Sequence, residues 1–129
     1  MSALDKENIV GVSALLVHAA KIDEKYSENE KQLIKDFIKS YLKNDSSEEI
    51  LKSAERLEND SNQLLNFTNI IKKENDEIKS DIIRHLWKII ISDKTVDFYE
   101  SNLMRRICGL IYFPDKMSAE IKLQILEKK

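Results

Sequence analysis

The sequence predicts an all-α domain, and three observations carry the prediction. Glycine and proline are scarce, two and one in 129 residues, too few for the many turns of a β-sandwich or barrel. Apolar residues recur three and four positions apart, the period of a helix face. Finally, residues 12–42 reappear in altered form as residues 82–112. Leu16, Asp23, Glu30 and Leu33 match Leu86, Asp93, Glu100 and Leu103 without a gap. Between them apolar meets apolar: Val12 with Ile82, Ala19 with Ile89, Ile34 with Met104, Phe37 with Ile107 and Ile38 with Cys108. The repeat predicts two copies of one helical hairpin, each with an acidic residue at its turn. Neither hairpin could cover its own central helix, so the two are expected to pack around a pseudo-twofold axis. Residues 1–129 read as a single compact domain of about seven helices.

The first helix is expected from about Lys6 to Ile22. Its apolar residues (Ile9, Val10, Val12, Leu15, Leu16, Val17, Ala19, Ala20 and Ile22) run almost all the way round, the mark of a helix buried on most sides. Ser27 and Glu30 have the spacing of a capping box and start the second helix. Its apolar pairs Leu33/Ile34, Phe37/Ile38 and Tyr41/Leu42 form one stripe with lysines opposite. Ser46 and Glu49 repeat the capping spacing before a third helix, with Ile50, Leu51, Ala54 and Leu57 on one face. A shorter fourth helix is expected after an Asp60 or Ser61 cap, turning Leu64, Leu65, Phe67 and Ile71 inward. The fifth, from about Asp76 to Ser92, is again apolar on most sides. Its isoleucines favour strands, but its length and the polar Lys79, Asp81, Arg84 and Lys88 favour a helix. The sixth follows a cap at Asp97 and repeats the paired stripe as Leu103/Met104, Ile107/Cys108 and Ile111/Tyr112. Phe113–Pro114 ends it. Ser118 to Leu126 forms a short last helix.

Composition narrows the function classes. Net charge is −2, with both signs scattered along the chain. Nucleic-acid binding calls for a concentrated basic patch, and none is visible. The single cysteine, Cys108, excludes an internal disulfide and a cysteine-based zinc knuckle. MSALDKENIV carries no basic segment before an apolar run, so it does not read as a signal peptide. The apolar runs are too short to span a bilayer. A cytoplasmic location is the expectation. The chain has no Gly-rich phosphate loop, HExxH, GxSxG or CxxC, so it is not expected to be an enzyme.

The acidic turns are the candidate site. Asp23 and Asp93 fall at the C-terminal ends of the two central helices, where the helix dipole disfavours a carboxylate by about 0.3–1 kcal/mol. Glu30 and Glu100 follow each aspartate by seven positions. One reading is local: the aspartates form turns and the glutamates complete capping boxes, both common roles. The other is that all four carboxylates converge on a hard divalent cation, calcium or magnesium. The turn is not an EF-hand, since it lacks the DxDxDG ladder. His18 lies one turn before Asp23 and could border the site. His85, Cys108 and Trp87 read as core or boundary residues. Arg105–Arg106 could pair with the acidic turns or lie on a solvated face.

The stretch LLVHAAKIDEKYSENEKQLI resembles the opening of tellurite-resistance TerB-like domains, where an apolar helix ends in Ala-x-x-Asp-Gly before an acidic helix start. LWKIIISDKTVDFYESNLMRRICGLI resembles their second half, with its Leu-Trp, its Asp turn and Glu-x-x-x-x-Arg-Arg-Ile. The resemblance covers about residues 8–126 and is closest to stand-alone members. It implies an all-helical, pseudo-symmetric domain of roughly seven helices and a link to stress and tellurite resistance. It also implies metal binding through acidic residues, here Asp23, Glu30, Asp93 and Glu100. Fusions of such domains, as in a membrane-anchored DnaJ-like protein, imply an adaptor role, through a protein partner or self-association. This chain departs at Glu24 and Lys94, where the family usually has glycine.

Overall fold

The chain folds into seven helices among the described residues, which are 6–22, 26–42, 47–61, 64–92 and 98–127 of a computed structural model. In order they are α1 (Lys6–Lys21), α2 (Glu28–Tyr41), α3 (Ser47–Asp60), α4 (Leu65–Lys72), α5 (Asp76–Ile91), α6 (Phe98–Leu110) and α7 (Asp115–Glu127). No strand occurs among the described residues.

The helix expected to be buried all round is the hub. Ile9, Val12, Leu15, Leu16 and Val17 of α1 have no accessible surface, and the helix is flanked by α2, α3, α4 and α5. Gly11 permits one of these approaches. A Cβ there would stand 2.3 Å from Ile70 Cδ1 at the α1–α4 contact. In α5, Ile82, Ile83, Leu86 and Ile89 are equally buried, and this helix lies against α1, α2 and α7. Both ends of α5 fall seventy residues after those of α1, and α6 starts seventy residues after α2.

Three details differ from the expected elements. Leu57 is 40% exposed and Leu65 is 47% exposed. The inward row of α3 is Ile50, Ala54 and then Glu58, four apart, which turns Leu57 aside. The fourth helix is not capped by Asp60 or Ser61: α3 extends through Asp60, and α4 starts after Leu64 with no side-chain cap. Phe67, Thr68 and Ile71 face inward, and Leu65, two residues before Phe67, points away. The last helix starts at Asp115, not Ser118, because the chain turns helical directly after Pro114, whose carbonyl accepts from Ser118 N–H at 3.1 Å.

The end of α6 shows how the chain leaves a helix without glycine. Phe113 N–H donates to the Cys108 carbonyl (2.9 Å) and Tyr112 N–H to that of Gly109 (3.4 Å), the pairing of a Schellman motif. Its left-handed residue is Tyr112, at φ 60°. At the other end of α5, Asn75 is the cap that the sequence reading did not name; its side chain accepts from Ile78 N–H at 2.9 Å.

One core position is at odds with its surroundings. Ser13 is fully buried and its hydroxyl has no hydrogen-bond partner among the described residues; the residue seventy positions on is Ile83. An unsatisfied buried hydroxyl costs about 1–3 kcal/mol. Ser13→Ala should therefore stabilise the fold by about 1 kcal/mol, read as a higher urea midpoint at unchanged slope. A lower midpoint would mean that the hydroxyl has a partner.

Candidate functional site

Of the four acidic candidates, Glu30 alone has a described side chain. It is 1% exposed. Its Oε1 accepts from Ser27 N–H (2.8 Å) while Ser27 Oγ accepts from Glu30 N–H (3.1 Å). This is the reciprocal capping box read from the sequence. It fixes where α2 begins, just after the first turn. Asp23 and Asp93 lie outside the described residues, as do Glu24, Lys94, Asp97 and Ser46. Glu100 lies in the first turn of α6, with its side chain outside the described part. Among the described residues, no three His, Cys, Asp or Glu side chains form a group able to hold a metal. The four candidates are all carboxylates, a donor set that fits a hard divalent ion.

If Ser27 is only a cap, Ser27→Ala should destabilise by about 0.5–2 kcal/mol, and added calcium or magnesium should not change that loss. Restoration by either ion, measured by thermal melting, would assign Ser27 to a site.

At the C-terminal end of α1 lies a cavity of about 480 Å³ lined by His18, Ile22, Asn102, Leu103, Arg105 and Arg106. It joins the last turn of α1 to the second and third turns of α6. The α1 wall is held by a contact invisible in the sequence. Glu58 of α3 accepts from Lys21 Nζ at 2.8 Å and lies 3.2 Å from His18 Nδ1. Burial of Glu58 works against ionisation, but its hydrogen bonds to Lys21 and His18 outweigh this and hold the carboxyl below its ordinary range. An ionised carboxylate only accepts, so His18 Nδ1 bears the proton facing it. His18 thus lines this cavity, anchored to α3. Tyr26, just past the turn, is tied to the same helix by its hydroxyl, which donates to Glu55 at 2.5 Å. Burial and this bond push the Tyr26 phenol well above its ordinary range.

The α6 wall is cationic. Arg105 and Arg106 are exposed, and neither forms an ion pair among the described residues. Arg105 also lines a second cavity of about 250 Å³, with Trp87, Met104, Asp115, Ala119 and Lys122. Trp87 is a core anchor at its edge, donating from Nε1 to Ser118 Oγ at 2.9 Å. Lys122 Nζ stands 5.1 Å from the Trp87 ring centre. The sequence flagged the arginine pair and His18. It offered no signal for Asn102 and Ile22 as co-lining residues, because they meet only through the packing of α1 near α6.

The remaining singled-out residues are structural. His85 Nδ1 lies 2.8 Å from the Asp81 carbonyl, and its ring meets Phe37 edge-on at 5.0 Å. Cys108 is buried, and burial raises its thiol above the ordinary range, the opposite of an activated nucleophile.

The family model described as tellurite resistance protein TerB matches residues 10–123 of the chain. No curated protein and no solved structure matches it. No helix among the described residues is long and apolar enough to cross a membrane.

Proposed function

The chain belongs to the tellurite-resistance TerB family, and from that premise we propose that it is a non-catalytic module holding calcium or magnesium at its two acidic turns in a stress or tellurite-resistance setting. The observation that supports this reading is the shared cavity. Ile22 immediately precedes Asp23, and Asn102 follows Glu100 by two residues; both line it. The residue that leads into the first turn and the second turn of α6 therefore face one space. Asp23, Glu30, Asp93 and Glu100 would supply the oxygens.

Clustered carboxylates repel, and a bound cation relieves that repulsion. Millimolar calcium or magnesium should raise the melting temperature by binding the folded state. Asp23→Asn with Asp93→Asn should raise stability without ions and abolish the shift. A wild type indifferent to both ions, with a double variant that is merely less stable, would make the aspartates turn formers.

A second reading, an adaptor with structural turns, is favoured by the Glu30 capping box, which accounts for that residue without any ion. The arginine-lined face of α6 would then be the functional surface.

A further inference from the structure

We infer that the cleft between α6 and α7 is a binding site for a small monocarboxylate with an apolar body, of the kind a short branched-chain acid provides. The site is separate from the acidic turns and from the adaptor surface, and needs neither.

The two halves of the molecule differ at one seam. α7 packs on α5 and α6 in the place that α3 takes on α1 and α2. Burial fixes the register: Ser47 and Ile50 of α3 are buried, and so are Ser118 and Ile121 of α7, each seventy-one positions on. In that register Glu48 corresponds to Ala119 and Leu51 to Lys122, while Arg105 of α6 corresponds to Lys35 of α2. The first half closes its seam with its own side chains. Lys35 pairs with Glu48, and Leu51 is buried beside them. In the second half the same three positions, Arg105, Ala119 and Lys122, line an open cavity of about 250 Å³. The alanine methyl brings no carboxylate to the seam. The lysine stands over the indole at the cavity's edge, with Nζ 5.1 Å from the Trp87 ring centre.

What α7 omits, relative to α3, is a carboxylate and a branched aliphatic group on neighbouring turns. One small acid supplies both. Its carboxylate would meet the Arg105 guanidinium, whose planar fork pairs with carboxylates, and the Lys122 ammonium. Its apolar body would lie against Trp87 and Met104, which line the same cavity. The volume is below the roughly 300–1,000 Å³ of sites for drug-sized ligands, so the ligand is small. Asp115 also lines the cavity and would repel a second negative charge, which selects monoanions over dicarboxylates and phosphate. Ser118 is already engaged, accepting from Trp87 Nε1 at 2.9 Å and bonded to Cys108. It therefore holds the indole in place and leaves recognition to the charged rim.

The test titrates the whole chain with 4-methylpentanoate in buffer free of divalent ions. Trp87 is the only tryptophan, and its emission should change saturably as the cleft fills. The uncharged 4-methylpentanamide and inorganic phosphate should neither bind nor compete. Arg105→Gln with Lys122→Gln should weaken binding about tenfold or more. Lys116→Gln, an exposed lysine of α7 outside the cavity, should leave it unchanged. Ala119→Glu puts back the carboxylate of Glu48 and should abolish binding without lowering the melting temperature, because the seam then closes as in the first half. Absence of a saturable change in the wild type would overturn the inference. That holds even where Asp97→Asn with Glu100→Gln creates binding, since a carboxylate of the chain itself would then fill the cleft. Equal binding of the amide, competition by phosphate, or unchanged binding in the folded Ala119→Glu variant would overturn it too. No calcium or magnesium is present, so this inference and the cation reading fail separately.

Discussion

Replacing Leu16 or Leu86 with alanine is expected to destabilise the domain by about 2–5 kcal/mol each. Both side chains have no accessible surface and sit on α1 and α5, which pack against each other and against other helices of the core. Truncation removes the transfer energy of the lost carbons and leaves a cavity that a close-packed interior only partly refills. Against a typical total stability of about 5–15 kcal/mol, such a loss is large. Urea unfolding followed by circular dichroism measures it, provided the slope is unchanged. Leu57→Ala is the internal contrast: that leucine is exposed, and its loss should stay within about 0.5 kcal/mol. A change below that size at both Leu16 and Leu86 would mean that α1 and α5 are not the buried pair.

Trp87→Ala should cost about 3–5 kcal/mol, and Trp87→Phe about 1–3. The ring is 5% exposed, at the edge of the α6–α7 cavity. Alanine removes most of its buried area. Phenylalanine keeps most of that area but loses the bond to Ser118, a residue that is itself 5% exposed and is left without its indole partner. Ser118 also hydrogen-bonds Cys108, so the two variants carry a second readout. Opening this corner should make the Cys108 thiol react faster with a disulfide reagent, because burial is what raises it above its ordinary range. A Phe variant as costly as the Ala variant would put the energy in the hydrogen bond rather than the packing. Unchanged thiol reactivity in both would show that Trp87 does not shield Cys108.

The sequence by itself determined the helical class, the two hub helices and the α2 capping box. Each depends on near neighbours along the chain. The apolar residues of α1 and α5 encircle the helix, so their burial follows whatever packs on them. Ser27 and Glu30 satisfy one another's backbone within a single turn. The fourth helix went astray for the same reason in reverse. Its short stretch of leucines, isoleucines and asparagines holds no local signal strong enough to choose between Asp60, Ser61 and Leu64 as its start, and the contact with α1 decided it. Only the tertiary structure turned Leu57 outward, because Glu58 had to face His18 and Lys21, some forty residues away in sequence. Only the tertiary structure, too, set Ile22 beside Asn102 and gathered His18, Arg105 and Arg106 around one space. Such a site belongs to no periodicity. It exists where the end of one helix meets the flank of another, and the packing angles that bring them together are set by the whole core.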